Sequence, residues 1–173
     1  MADALEQSKQ DGPHALLATM VGKWQGTART WFEPGKLGDE APIKGETRLV
    51  LGGRFLMHEY EGGMTVGDMR GVAIHGYDLT AQRWGTAWAD SAHSGTRIML
   101  SVGESGGDAR KPMVLGSYPA PPGPDWGWRT TLELRGPDQL MITHFNIAPN
   151  EGPYKDVGEY TGVEIDYRRV SSG

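Results

Sequence analysis

The stretch from Gly52 to Ser91, GGRFLMHEYEGGMTVGDMRGVAIHGYDLTAQRWGTAWADS, constrains the fold more than any other part of the chain. It holds three short runs with alternating apolar and polar residues, separated by turn sequences such as Glu61-Gly62-Gly63 and Asp78-Leu79-Thr80. A period of two broken by such turns is the pattern of an antiparallel meander. The same pattern recurs along the chain at roughly 23–32, 43–51, 54–61, 69–78, 83–90, 96–102, 112–118, 127–135, 139–147 and 159–170. An up-and-down series of about ten strands tends to close, because closure removes exposed strand edges. Barrels of this size hold either packed side chains or one small ligand.

Composition agrees with an all-β reading. The 173 residues include 26 glycines and 11 prolines, which suits many tight turns, and six tryptophans argue against disorder. One domain is expected over 13–170, with a flexible polar segment at 1–12 and a tail at 171–173. The single expected helix runs from Pro13 to Val21, where Leu16, Leu17, Met20 and Val21 form one apolar face and Gly22 ends it. Longer connections are expected at Glu33–Pro42, Gly103–Lys111 and Pro119–Asp125.

With no cysteine, disulfides, thiolate metal sites and cysteine nucleophiles drop out. A net charge of −5 without a basic patch argues against a nucleic-acid partner. The N-terminal residues carry early acids and lack the apolar core of a signal peptide, and no apolar run reaches the length of a membrane span. The expectation is a cytoplasmic protein with no membrane partner. A short strand near 112–118, flanked by loops, predicts an unpaired edge and hence a weak homodimer.

Gly22-Lys23-Trp24, directly after a helix, together with basic residues at the end of the last strand, resembles the lipocalin and wider calycin superfamily. The resemblance implies that Trp24 closes one end of an up-and-down barrel and that a basic residue, Arg169, packs over its indole. Val163, Ile165, Tyr167 and Arg169 share one strand face, taken as the inward one. The set Gly52-Gly53-Arg54-Phe55, Gly76-Tyr77-Asp78, Trp88-Ala89-Asp90-Ser91 and Tyr167-Arg168-Arg169 is similar to a bacterial family, domain of unknown function 1579. That resemblance implies a calycin-like barrel and supplies no catalytic residues. A looser resemblance, carried by Gly22-Lys23-Trp24-Gln25-Gly26, is to nitrobindin-like barrels, and implies haem on a late-strand histidine, here His144.

The residues themselves offer no strong catalytic signature. The sequence has no Gly-x-Ser-x-Gly elbow, no dinucleotide fingerprint and no phosphate-binding loop. His58, His75 and His144 fall on strands without the spacing of paired metal ligands, so neither a metal nor another cofactor is expected. Ser91 and His93 share one turn with nothing evident to orient the imidazole. Asp78 and Asp90 end adjacent strands and could serve as an acid–base pair near one barrel mouth, but turn capping accounts for both more simply.

Aromatic residues give the better signal. Tyr60, Tyr77, Trp88 and Trp128, with Asp90, His144 and Asn146 as polar members, form a candidate pocket for a small, partly apolar ligand. Two other functions compete: an enzyme using His144 and Asp90 as acid and base, and a ligand-free structural module.

Overall fold

In the computed structural model, residues 2–171 are described; of the tail at 171–173 only residue 171 is among them. Two helices, α1 (Ala2–Asp11) and α2 (Pro13–Thr19), precede ten strands. These are β1 (Gly22–Glu33), β2 (Lys36–Val50), β3 (Phe55–Gly62), β4 (Arg70–Asp78) and β5 (Arg83–Asp90). β6 (Met99–Val102), β7 (Met113–Tyr118), β8 (Trp126–Leu134), β9 (Gln139–Ile147) and β10 (Glu159–Arg169) follow. Every strand pairs antiparallel with its sequence neighbours, and β1 pairs with β10, so the sheet closes into a barrel.

The expected strands are present, and three expectations need correction. First, residues 2–11 form a helix, where the sequence suggested a frayed segment. Its apolar content is low, but Leu5 and Ser8 are buried, and the Ser8 hydroxyl bonds His14 Nδ1 at 2.8 Å. Tertiary docking of two positions is enough to hold a helix that is weak by propensity. Second, Glu33–Pro42 is a tight hairpin around Pro34-Gly35, and Gly35 takes a φ of 71° there. Pro42 sits inside β2 opposite Thr27, where β3 has already ended at its Ile43–Gly62 pair. A proline is tolerated on that side because no neighbouring strand needs its N–H. Third, β7 is not an unpaired edge. It pairs with β8 from Met113 to Tyr118 and meets β6 through Val102–Leu115.

One barrel end is sealed by α2. Leu17 and Met20 are fully buried there against Trp24, Leu56, Leu140 and Tyr167. Trp24 is 1% exposed, and its indole N–H donates to Met20 O at 3.2 Å and Thr47 Oγ1 at 2.9 Å. The Arg169 guanidinium lies 4.3 Å over the Trp24 ring and donates to the carbonyls of Thr19, Val21 and Pro137. Trp24 and Arg169 therefore take the positions expected of a closing pair. Because the strands alternate in direction, the β3–β4, β5–β6, β7–β8 and β9–β10 connections gather at the opposite end and frame the mouth.

The outer surface is uneven. On β1, β2, β3 and β10, charges pair across strands, as in Arg29 with Glu40 and Glu164, and Arg48 with Glu59. On β4, β6 and β7, Ile74, Leu100, Val102, Met113 and Leu115 are exposed. Ile98, just before β6, extends the same apolar region.

Candidate functional site

Above the sealed end the barrel interior changes character. The period of two carries His58 and Tyr60 inward from β3, Ala73 and His75 from β4, and Thr86 and Trp88 from β5. β8 adds Trp128 and Thr130, β9 adds Ile142 and His144, and Met99, Ser101 and Ile165 complete the wall. These side chains surround one cavity of about 30 Å³. That is room for about one water, so the rings themselves fill most of the interior.

Of the fully buried polar side-chain atoms in this wall, all but one have a partner. His58 Nε2 lies 3.2 Å from the Tyr167 hydroxyl. His144 Nδ1 lies 2.8 Å from Thr130 Oγ1, and His75 Nδ1 lies 2.9 Å from Thr86 Oγ1. The Trp88 indole N–H donates to the Tyr60 hydroxyl at 2.7 Å. The exception is His75 Nε2, which is buried with no hydrogen-bond partner. Glycine makes this arrangement possible: a Cβ on Gly45 would stand 2.6 Å from the Tyr167 hydroxyl and 2.8 Å from His58 Nε2.

Burial sets the charge state. It pushes the pKa of His58 and His144 down to about 3 and that of His75 down to about 4, with mutual repulsion adding to the effect for His58 and His144. The cavity is therefore lined by three neutral imidazoles at neutral pH. Burial also pushes the Tyr60 and Tyr167 hydroxyls well above the ordinary tyrosine value, so both remain protonated.

The mouth is roofed by stacked rings. Trp128 lies nearly parallel to His144 at 5.1 Å and to Trp88 at 6.3 Å. Both tryptophans are only half-buried. Beside them the turn after β5 is organised by Asp90. Its Oδ1 accepts from the backbone N–H groups of Ala92, His93 and Ser94, and its Oδ2 bonds His93 Nδ1 at 2.6 Å. Burial alone would raise the Asp90 carboxyl; the bonds from His93 and the backbone outweigh it and hold the pKa below the usual value. The same bond raises the pKa of His93 against the opposing effect of burial. The His93 ring sits 6.3 Å from that of Trp88.

Tyr60, Trp88, Trp128 and His144 line the cavity as the sequence suggested. The other three candidates stand elsewhere. Tyr77 packs edge-on against Trp84 at 5.2 Å, toward the helical end. Asp90 turns into its own loop, and Asn146 accepts from the Tyr118 hydroxyl at 2.7 Å above the cavity wall. Asp78 and Asp90 are not neighbours at one mouth. Asp78 is level with Arg83 and Asp90 with Gly71, at opposite ends of an antiparallel pair. No hydrogen bond joins Asp90 to His144: each already bonds another side chain, His93 and Thr130 respectively. The imidazole of His93, which sequence reasoning left unoriented, is oriented by Asp90.

Sequence reasoning missed His58, His75, Thr86, Ser101 and Thr130 as wall residues. The signal was strand parity: His58 lies two from Tyr60, Thr86 two from Trp88, and Thr130 two from Trp128. Haem ligation at His144 would require displacing Trp128, which stacks on that imidazole at 5.1 Å beside a cavity of about 30 Å³. Among the described residues, no group of three or more histidine or acidic side chains could hold a metal ion. No helix among them is long and apolar enough to cross a membrane.

Residues 9–169 match the family described as protein of unknown function, DUF1579. The chain belongs to this family. Among solved structures, an S-type phycobiliprotein lyase from Guillardia theta shares the barrel, with a TM-score of 0.57 at 10% identity. The similarity covers 97% of this chain and 98% of that one, and at such low identity it speaks for the fold alone. No curated protein matches the chain.

Proposed function

We propose that this DUF1579 protein binds a small, partly apolar molecule in the upper half of its barrel. The ligand inserts between the Trp88–Trp128 pair and the histidine layer. The observation that carries the reading is the unpartnered His75 Nε2, buried in the wall of a cavity roofed by half-buried rings. A buried polar atom without a partner costs about 1–3 kcal/mol. Such a cost is understandable where a bound molecule completes the bond. A hydroxyl suits the atom in either tautomer, because it can donate or accept. The flat faces of Trp88, Trp128 and His144 suit an aromatic or unsaturated body. Because the cavity holds about one water as it stands, binding requires the half-exposed indoles to swing outward.

The test is titration with 2-naphthol, read by tryptophan fluorescence. Saturable quenching is expected, with at least tenfold weaker binding in His75→Phe. Absence of saturation in the millimolar range would refute the proposal.

A second reading, acid–base chemistry, draws on a different pair from the one the sequence suggested. Asp90 holds His93 beside the mouth with 46% of the His93 side chain exposed, which is how a carboxylate orients a general base. If this pair acts on a bound molecule, His93→Gln abolishes turnover and leaves 2-naphthol affinity intact. Loss of affinity in that variant would instead make His93 a wall residue.

A further inference from the structure

We infer that the protein has a second binding site, outside the barrel interior, for an organic carboxylate with an apolar body. A cavity of about 330 Å³ lies between the N-terminal helices and the sealed barrel end, against about 30 Å³ inside the barrel. Cavities that hold small molecules begin at about 300 Å³. Its walls come from three separate segments: Leu5 and His14 of the helices, Arg54 and Phe55 at the start of β3, and the Tyr77–Thr80 turn.

The charges at this site are specific. Arg54 has no carboxylate within ion-pair distance among the described residues, and its Nη1 donates only to Leu51 O at 3.0 Å. Lys9 lies alongside, close to Gly53, although Glu6 pairs with it at 2.7 Å. Burial first, and then the charge of Lys9, lower the pKa of His14 against an opposing hydrogen bond with the Arg54 backbone. The one acid in the wall, Asp78, is already engaged. Its Oδ1 accepts from Thr80 N at 2.8 Å and Ala81 N at 2.9 Å, and Arg83 is its cross-strand partner. Arg54 thus brings an unpaired guanidinium to the cleft.

The chemistry follows from those groups. A planar guanidinium binds a carboxylate through two parallel N–H···O bonds. Leu5, Phe55, Tyr77 and Leu79 offer the apolar surface for an aromatic or aliphatic body behind it. Helix α1, the element the sequence failed to predict, contributes Leu5 to this wall.

The experiment is methyl and indole NMR of the full chain titrated with 3-phenylpropionate, with 3-phenylpropanol as the uncharged control. Shifts are expected at the Leu5 and Leu79 methyls, with the acid binding at least tenfold tighter than the alcohol. Arg54→Gln should erase that preference at an unchanged melting temperature, since the Arg54 side chain is exposed. Equal affinity for acid and alcohol, or an acid affinity unaltered by Arg54→Gln, would overturn the inference. So would shifts confined to the Trp88 and Trp128 indoles, which would place the acid inside the barrel.

Discussion

The two halves of the barrel interior use aromatic residues in opposite ways. At the helical end, Trp24 and Tyr167 are buried among Leu17, Met20, Leu56 and Leu140. There the Trp24 indole has two acceptors and Arg169 covers its ring. In the upper half, Trp88 and Trp128 are half-buried, three histidines are held neutral, and one imidazole nitrogen has no partner. The lower half is arranged as a core, with one buried indole N–H, that of Trp84, also lacking a partner; the upper half differs in gathering three imidazoles around a cavity. Residues below should therefore govern stability and residues above should govern binding.

The largest effect expected is at Trp24. Trp24→Ala should cost about 3–5 kcal/mol in denaturant unfolding, while the folded fraction keeps its 2-naphthol affinity. A variant that keeps its stability and loses binding would reverse the assignment of the two ends.

His75→Phe should do the converse. The substitution relieves the unpartnered Nε2 but also removes the Nδ1 bond to Thr86 Oγ1, two opposing effects of about 1–3 kcal/mol each that largely offset. The urea midpoint should stay close to that of the parent, with binding lost. Strong destabilisation would show that His75 is a structural residue and would weaken the contrast.

Acid should act mainly through the upper half. His58, His75 and His144 have folded-state pKa values of about 3, 4 and 3, below the ordinary value of 6.5. The unfolded chain therefore takes up protons first. The stability they contribute is complete above pH 6.5 and is lost as pH falls toward 3–4. Urea midpoints should drop between about pH 7.5 and about pH 4.5, less steeply in His75→Phe. His93 has the opposite sign. Asp90 raises its pKa, so its contribution is present below the ordinary histidine value and fades as pH rises through the raised one. With 46% of its side chain exposed, solvent screening keeps that effect small.

The smallest effect concerns the outside. The apolar patch of Ile74, Leu100, Val102 and Leu115 carries no charge, so two copies can meet there about a two-fold axis without like-charge repulsion. Sedimentation velocity should detect weak self-association at high micromolar concentration, abolished by Leu100→Lys. A strict monomer at that concentration would remove the patch from consideration.

Much of the lower half was legible in the sequence. A helix running into Gly-x-Trp, and an alternating last strand ending in Arg169, specify local geometry that survives in three dimensions. Aromatic residues on the expected strands pointed to Tyr60, Trp88 and Trp128, and the one late-strand histidine to His144. What could not be read was depth along the barrel axis. Tyr77 and Trp88 point inward from adjacent strands, yet cross-strand register puts Tyr77 level with Trp84 and Trp88 level with Ala73. Asp78 and Asp90 do cap their own turns, the simpler of the two expectations; the shared-mouth alternative fails because consecutive antiparallel strands finish at opposite ends of the barrel. Helix α1 was invisible because its stability comes from Leu5 and Ser8 docking rather than from composition.

The central claim is that His75 Nε2 waits for a ligand's hydrogen bond. Nitrogen-15 NMR of the imidazole side chains, recorded with and without saturating 2-naphthol, addresses it directly. On saturation the His75 Nε2 resonance should move while that of His58 Nε2, already bonded to Tyr167, holds its position. A His75 resonance that stays fixed while 2-naphthol is demonstrably bound would contradict it.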